Sequence, residues 1–280
     1  MQEVDLSKSG IYLCKFKGQH LLTSKSLLSF ICRAGEVSPL DGVIEIGTGL
    51  GALTEKLIKL AGKVVSIEKE EAFRPLLNQK FKEATNLILL FGDALKINWE
   101  EFLSTRTSWK LIANIPYYIT KPLLKLLIKY RDRFSLAVLL LQKEVAEKIK
   151  APVGGKNYGA FTIYLNYYWH PRVLRLVSPQ MFLPPPRVYS AVVRFDKKTT
   201  KLLSPVEEDM FFSFVYSCFS SRRKTLVNNL FTVFKGKIRK EELENLLKGL
   251  GFSPKVRAQE LSLEDFVKLY RDVTLCSKPF

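Results

Sequence analysis

Short apolar runs alternate with amphipathic stretches along the first two thirds of the chain. The apolar runs are four to six residues long and rich in valine, isoleucine and leucine, which is typical of strands buried on both faces. They cover residues 43–46, 64–67, 87–90, 110–113 and 136–141. Helical periodicity follows three of them, over residues 52–60, 71–81 and 121–130. This alternation indicates βαβ units, so the pattern predicts an α/β fold with a mainly parallel sheet.

The pattern changes toward the end of the chain. Residues 161–168 and 190–195 are rich in β-formers with no long helical pattern between them, which predicts an antiparallel edge on the sheet. After residue 198 the periodicity becomes helical. The predicted helices cover residues 207–219, 223–234, 239–250 and 263–270. Because the break falls near residues 197–205, we expect an α/β domain over residues 1–198 and a small helical domain over residues 199–280.

The composition is that of an ordinary globular protein. Of the 280 residues, 47% are hydrophobic and 25% are charged, which excludes general disorder. The most apolar run, residues 136–141, is far shorter than the roughly 18 residues of a membrane span, and the N-terminus lacks the apolar stretch of a secretory signal. Four scattered cysteines without a C-x-x-C pair, and only two histidines, predict neither disulfides nor a metal site. We therefore expect a cytoplasmic protein with no membrane or metal partner. Since the chain shows no obvious self-association element, we expect a monomer.

Charge is the strongest compositional feature. The chain has 44 lysines and arginines against 27 acidic residues, a net charge of +17 and an isoelectric point near 9.7. Residues 1–196 carry +11 and residues 197–280 carry +6, so both parts are basic. Such a charge predicts a polyanionic partner, most often nucleic acid. On charge alone, a basic surface without such a partner is an equal alternative.

A glycine-rich turn follows the first predicted strand and opens a helix. From Glu45 the spacing is E-x-G-x-G-x-G, with Gly47, Gly49 and Gly51. Glycines allow a tight turn and the close approach of a ligand to the backbone. The spacing differs from the G-x-G-x-x-G of dinucleotide sites. It suits a nucleoside or amino-acid group that crosses the turn, and a plain strand-to-helix turn is the alternative.

Two further strands end in acidic residues. Glu68 ends the second strand, 21 residues after Gly47, where a carboxylate can accept hydrogen bonds from both hydroxyls of a ribose. Asp93 follows the third strand, where it could bond an adenine amino group. Open α/β sheets bind ligands at the carboxyl ends of their strands, so these acids and the glycine turn are expected to line one crevice.

The tetrapeptide Asn114-Ile115-Pro116-Tyr117 ends the fourth strand. An exocyclic adenine amine is a poor nucleophile because its lone pair is delocalised into the ring. Hydrogen bonds from this amine to the Asn114 side-chain oxygen and the Ile115 carbonyl would favour a pyramidal nitrogen with a localised lone pair. Pro116 fixes the turn, and Tyr117 can stack on the base. A simple turn with an aromatic plug is the alternative.

These motifs, with others along the chain, resemble those of the small-subunit rRNA adenine dimethyltransferases of the KsgA type. The matching segments, in order, are residues 18–22 (GQHLL), 45–51 (EIGTGLG), 92–94 (GDA), 114–119 (NIPYYI), 158–159 (YG), 182–190 (FLPPPRVYS) and 219–226 (FSSRRKTL). The resemblance covers nearly the whole chain. It departs from the family pattern at Lys17, where an apolar residue is usual, and more mildly at His20 and Leu21.

The resemblance implies a Rossmann-like class I methyltransferase domain with a seven-stranded sheet, in which residues 1–40 form a lid and a lead-in helix. It also implies an RNA-binding helical domain over residues 199–280. S-adenosyl-L-methionine would donate methyl groups to N6 of two adjacent adenosines near the 3′ end of small-subunit rRNA, during assembly of the small ribosomal subunit. The cofactor residues would be Gln19, His20, Leu22, Gly47, Gly49, Glu68, Asp93 and Asn114. The residues around the target adenine would be Asn114, Ile115, Pro116, Tyr117 and Phe182.

Basic residues are candidates for contacts with RNA phosphates. They are Arg222, Arg223 and Lys224 beside an apolar helix, and Lys143 and Lys150 near the loop at residues 152–155. For Arg222–Lys224 the alternative is a solvated basic cluster, and for the two lysines a charged helix face is an equal alternative. The run Tyr167-Tyr168-Trp169 is predicted to pack in the core rather than to bind bases.

Two other functions compete with this one. The first is a large-subunit rRNA adenine methylase of the macrolide-resistance type, which shares the Asn-Ile-Pro-Tyr turn. The proline-rich run at residues 184–186 and the long helical C-terminus argue against it. The second is a nucleic-acid-binding assembly or transcription factor on the same scaffold. An intact glycine turn and Asn114–Tyr117 favour an enzyme, because a protein that only binds needs neither.

Overall fold

A computed structural model of the chain describes residues 20–105, 108–234 and 238–276. The chain divides into two compact units. The first comprises Met1–Ala146 and His170–Lys197, and the second comprises Glu147–Trp169 and Lys198–Phe280. In the described ranges, no helix has the length and apolar character needed to cross a bilayer.

The first unit is organised around a seven-stranded sheet. In chain order, the strands of the protein are β1 (Leu21–Leu22), β2 (Gly42–Ile46), β3 (Lys63–Glu68), β4 (Leu87–Phe91), β5 (Trp109–Asn114), β6 (Phe134–Gln142), β7 (Trp169–Val177), β8 (Phe182–Leu183) and β9 (Ser190–Lys197). The order in the sheet is β4-β3-β2-β5-β6-β9-β7, while β1 and β8 form a separate antiparallel pair. The pairs from β4 to β6 are parallel and β9 is antiparallel to β6, which confirms the predicted α/β sheet with an antiparallel edge.

Helices cover the sheet and build the second unit. They are α1 (Lys25–Ala34), α2 (Thr54–Leu60), α3 (Arg74–Lys80), α4 (Glu100–Leu103), α5 (Thr120–Lys129), α6 (Lys143–Ile149), α7 (Ala160–Tyr168), α8 (Pro205–Cys218), α9 (Leu226–Val233), α10 (Lys240–Gly249) and α11 (Leu263–Cys276). Capping side chains determine where several of these helices begin. The Ser24 hydroxyl accepts from the Leu27 N–H at the start of α1, and Ser204 forms a capping box with Glu207 before α8.

The core of the first unit explains why its strands are continuous apolar runs. All five residues of β2 are buried, because helices cover the sheet. On one face, Leu27 and Ile31 of α1 and Leu57 of α2 pack with Val43 and Ile112 of the strands. This packing holds β2 and β5 side by side, and their carboxyl ends carry the glycine turn and Asn114.

The prediction of a strand over residues 161–168 is wrong, because this segment is helix α7. Its buried residues include Ile163, Leu165 and Tyr167, and even Phe161 and Tyr164 are partly covered. A helix that is apolar on nearly all sides shows no polar face, so its periodicity cannot be distinguished from that of a buried strand.

The second unit has its own apolar core. Helix α7 contributes Ile163 and Tyr167 to a cluster that α8, α9, α10 and α11 complete. This packing is why residues 147–169 belong to the helical unit, although they precede the predicted break in the sequence. As predicted, Tyr167 and Trp169 are core residues. The hydroxyls of Tyr167 and Tyr168 both donate to the buried carboxylate of Glu208.

Candidate active site

The cleft of the first unit opens where the strand order reverses. β3 lies on one side of β2 and β5 on the other, so the loops that follow β2 and β5 diverge at the carboxyl edge of the sheet. Open α/β sheets bind ligands at such a point. The cleft is lined by His20, Leu21, Gly47, Gly49, Glu68, Phe73, Asn114, Ile115, Pro116, Tyr117 and Phe182. Most of the residues that the sequence indicated are therefore brought together.

The glycine turn after β2 forms the floor of the cleft. Gly47 and Gly49 have φ of 83° and 55°, in the left-handed region that favours glycine. A Cβ at Gly49 would lie 2.8 Å from Leu21 Cδ2, and one at Gly47 would lie 3.1 Å from the Asn114 carbonyl oxygen. Glycine at both positions keeps the backbone open to a ligand.

Glu68 stands at the end of β3 and faces this turn. Its Oε2 accepts from the Gly49 N–H (2.8 Å) and its Oε1 from the Glu70 N–H (2.9 Å). Burial raises the pKa of this carboxyl, while the backbone donors act in the opposite direction. Each oxygen retains a lone pair, so the carboxylate can still accept hydrogen bonds from ligand hydroxyls.

Asp93 lies beside the cleft rather than among the residues that line it. The Gly92 N–H donates to the Glu68 carbonyl, which places the Asp93 loop next to Glu68. Asp93 Oδ1 accepts from the Leu95 N–H (3.0 Å), and Oδ2 pairs with Lys69 Nζ at 3.2 Å. These interactions, led by the Leu95 N–H, lower the pKa of Asp93, which therefore remains a carboxylate at neutral pH.

Asn114 ends β5, and a hydrogen bond to the backbone fixes the orientation of its side chain. Its Nδ2 donates to the His20 carbonyl at 3.2 Å. Since the amide nitrogen is held by protein, Oδ1 is the atom left to accept a hydrogen bond from a ligand. Ile115 is buried, and Pro116 begins the turn with φ of −57°.

Aromatic side chains form the walls. The hydroxyls of Tyr117 and Ser190 are hydrogen-bonded (2.7 Å), and burial raises the pKa of Tyr117, so the phenol stays neutral. Phe182 is buried in β8, where it pairs with Leu22 of β1. Leu22 thus packs behind the wall and does not line the cleft.

His20 contacts both the segment after Phe182 and the ring of Tyr117. Its Nδ1–H donates to the Pro184 carbonyl at 2.7 Å, and its ring centroid is 5.6 Å from that of Tyr117. The predicted cofactor residue Gln19 lies outside the described residues, as does Lys17.

A buried carboxyl beneath the glycine turn was not predicted to have a role. Glu45 on β2 is fully buried, and its Oε2 accepts from the hydroxyls of Thr54 (2.6 Å) and Ser66 (2.5 Å). Because the single Ser66 hydroxyl hydrogen is donated to Glu45, the 2.6 Å contact from Thr48 to Ser66 must be donated by Thr48. Glu45 therefore anchors the turn through Ser66, which accepts the hydrogen bond from Thr48. In the described part of the chain, its Oε1 has no hydrogen-bond partner.

The basic candidates lie in both units and differ in what they contact. Lys143 is in the first unit, after β6, and its N–H donates to the Tyr189 carbonyl (2.9 Å). Arg223 and Lys224 are exposed on the turn between α8 and α9 in the second unit. Lys150 is also exposed there.

Arg222 uses its guanidinium within the second unit. It donates to the carbonyls of Tyr158 and Lys156, the latter at 3.0 Å. The Tyr158 hydroxyl in turn donates to the Leu261 carbonyl (2.9 Å). Arg222 thus fastens the loop that follows α6 to the turn before α9, which is a positioning role that its place in a basic run did not reveal.

This fold, with a glycine turn after β2 and an acid at the end of β3, is that of a class I methyltransferase. The sequence profile described as ribosomal RNA adenine dimethylase matches residues 13–274. The chain belongs to that family, and it is a methyltransferase acting on ribosomal RNA adenine.

Individual relatives agree with this assignment. The chain is 40% identical over 252 residues to the ribosomal RNA small subunit methyltransferase A of Clostridium botulinum strain Okra, with 90% of each chain covered. The crystal structure of a dimethyladenosine transferase from Plasmodium falciparum is 31% identical, covers 91% of this chain and 98% of its own, and superposes with a TM-score of 0.76. The 23S rRNA methyltransferase ErmE shares the fold (TM-score 0.72, 22% identity, 90% and 98% covered).

The buried Glu45 carboxyl should make the unfolding free energy depend on pH. Burial raises its pKa from the ordinary 4.5 to about 7. When folding raises the pKa of a carboxyl, the folded state loses stability as the pH rises from the pKa of the unfolded state to that of the folded state. Glu45→Gln removes this penalty, so its unfolding free energy relative to the parent should rise by about 2 kcal/mol between about pH 5.5 and pH 8.5.

Urea unfolding across this pH range measures the difference. Glu83→Gln, at a side chain that is 88% exposed, is the matched control and should track the parent at every pH. Parallel curves for Glu45→Gln and the parent would show that Glu45 does not titrate in this range.

Proposed function

We propose that the protein is the S-adenosyl-L-methionine-dependent adenine N6,N6-dimethyltransferase of small-subunit rRNA. Its targets would be two adjacent adenosines near the 3′ end of that RNA, in an assembling small ribosomal subunit. The observation that carries the proposal is the geometry at Asn114, whose Nδ2 is held by the His20 carbonyl while Oδ1 is left for the cleft. A relative named for the small subunit, matched over 90% of its length, supports the choice of substrate.

The residues of the cleft suit the cofactor. The backbone at Gly47 and Gly49 leaves room that a Cβ would fill, and the Glu68 carboxylate can accept hydroxyl hydrogen bonds beside it. Asp93, held by Lys69 on the adjoining loop, retains lone pairs for an amino group. When bound, S-adenosyl-L-methionine supplies an electrophilic methyl group on a sulfonium.

The residues after β5 would activate the target nitrogen by position. The adenine amine would donate to Asn114 Oδ1 and to the Ile115 carbonyl, which favours a localised lone pair directed at the methyl group. Tyr117 and Phe182 would hold the two faces of a base taken out of its stack. Because orientation supplies much of the acceleration, the site needs no strongly basic side chain.

Charge would hold the RNA outside the cleft. The first unit has a net charge of +10 and the second +7, so each carries its own cationic surface. Arg223, Lys224, Lys143 and Lys150 are candidates for phosphate contacts, while Arg222 would act through the loop at Lys156 and Tyr158. Such contacts release counterions from RNA, so binding should weaken steeply with salt.

Asn114→Ala tests the proposed chemistry. Without Oδ1, the amine is no longer oriented, and methyl transfer should fall by on the order of a thousand-fold, with RNA binding nearly unchanged. Asn98→Ala removes an exposed asparagine whose amide pairs with Glu101, and it should behave as the parent.

The assay measures transfer of labelled methyl groups to small subunits from cells that lack the modification, with primer extension on both rRNAs. Normal turnover by Asn114→Ala would refute the mechanism. Methylation of the large subunit instead would favour the macrolide-resistance type, and binding by the parent without transfer would favour an assembly factor.

The basic residues of the second unit make a separate prediction. Arg223→Ala and Lys224→Ala should each lower the slope of log K against log salt by about one for RNA binding. Arg222→Lys keeps the charge but loses the two-pronged contact with Lys156 and Tyr158. It should leave the slope unchanged and speed hydrogen exchange in residues 153–158. Unchanged hydrogen exchange in residues 153–158 of Arg222→Lys would contradict the positioning role.

A further inference from the structure

Exposed tyrosines mark the surface next to the cleft. Within the described ranges, the aromatic side chains that are strongly exposed are Tyr118 (56%), Tyr189 (53%) and Tyr216 (46%). Tyrosine is enriched at interfaces, because its ring supplies apolar contact area while its hydroxyl stays in contact with water. Tyr216 lies on α8 of the second unit, whereas Tyr118 and Tyr189 both belong to the first unit, and neither of these two lines the cleft.

The sequence neighbours of these two tyrosines are joined by a hydrogen bond. Tyr118 follows Tyr117, Tyr189 precedes Ser190, and the hydroxyls of Tyr117 and Ser190 are 2.7 Å apart. Ser190 pairs with Gln142 at the end of β6, and the Lys143 N–H fixes the Tyr189 carbonyl. The backbone of both tyrosines therefore lies next to the aromatic wall, at the carboxyl edge of the sheet.

The charge around these rings suits nucleic acid. The segments 115–121 and 182–190 contain Lys121 and Arg187 and no acidic residue. Arg187 is exposed and forms no ion pair with any described residue. Lys69 Nζ lies 5.4 Å from the centre of the Tyr118 ring, but its charge is offset by the ion pair with Asp93, so Lys121 and Arg187 carry the positive charge of these segments.

We propose that Tyr118 and Tyr189 form a stacking rim, which holds the nucleotides flanking the target adenosine while Arg187 contacts a phosphate of the same single strand. The proposal rests on the function proposed above. A base drawn into the cleft leaves its neighbours without a stacking partner, and exposed aromatic rings can replace that partner whatever the sequence. The rim therefore makes removal of the target base from its stack more favourable.

The rim predicts a defined pattern of kinetic effects. Tyr118→Ala and Tyr189→Ala should each raise the KM for undermethylated small subunits on the order of ten-fold, with kcat at saturation within about two-fold of the parent. Tyr118→Phe and Tyr189→Phe keep an aromatic face and should restore the parent KM. Tyr118→Leu and Tyr189→Leu keep apolar bulk without that face and should resemble the alanine variants.

Two controls separate stacking from other causes. Tyr216→Ala removes the exposed tyrosine of the second unit and should leave KM unchanged. The unfolding temperature of every variant should be close to that of the parent, because more than half of each rim tyrosine is already in water.

Arg187→Ala should lower the slope of log K against log salt for subunit binding by about one.

Several outcomes would overturn the rim. A KM equal to the parent's in both alanine variants would do so. Phenylalanine variants with a KM as high as that of the alanine variants would also do so, because they would assign the effect to the hydroxyl. Leucine variants equal to the parent would assign it to apolar bulk. If the parent methylates small subunits and Asn114→Ala does not, these results fault the rim alone. If the parent transfers no methyl groups, the proposed function fails first.

Discussion

The reversal of strand order at β2 and β5 is the constraint on which the site depends. β3 and β4 extend the sheet on one side of β2, and β5, β6 and β9 on the other. The loops that follow β2 and β5 therefore diverge and leave backbone groups uncovered at the carboxyl edge. The glycine turn stands after one of these strands, and Asn114 ends the other. A cofactor and a base can meet there because the connections themselves open the space.

Hydrogen bonds between distant parts of the chain convert this opening into a site. The His20 carbonyl orients Asn114 across 94 residues of sequence, and Ser190 holds Tyr117 across 73. Each bond adds only about 1 kcal/mol of net stability. Its larger effect is on orientation, because reactions between bound groups depend strongly on how those groups are positioned. The β1–β8 pair brings the segment with His20 to Phe182 and so completes the lining.

The fold was largely predictable, although strand β7 was not predicted and residues 161–168 were assigned to a strand instead of a helix. Each of the five strands predicted between residues 43 and 141 was found within two residues, because strands buried on both faces must be apolar throughout. The same rule misled at residues 161–168, where a helix inside the second core is equally apolar. The last helix also continues past its predicted end at residue 270, to Cys276.

The site was predictable where its residues follow strand ends. Gly47, Glu68, Asn114 and Tyr117 line the cleft because parallel strands deliver their carboxyl ends to one edge. Side-chain partners were not predictable. Glu45 belongs to the glycine motif, yet its function as a buried anchor depends on Thr54 and Ser66, which lie on other elements. Neither spacing nor composition indicates such contacts.

The sequence by itself determined the class of the fold, the five parallel strands in chain order, the basic character of both units and the motifs of adenine methylation. Those properties depend on local patterns of residues and on charge, which the chain carries whatever its shape. Only the tertiary structure decided which atom of Asn114 faces the cleft, that Asp93 stands beside it paired with Lys69, and that Arg222 binds carbonyls. Such outcomes depend on distances between residues far apart in sequence, and folding alone sets those distances.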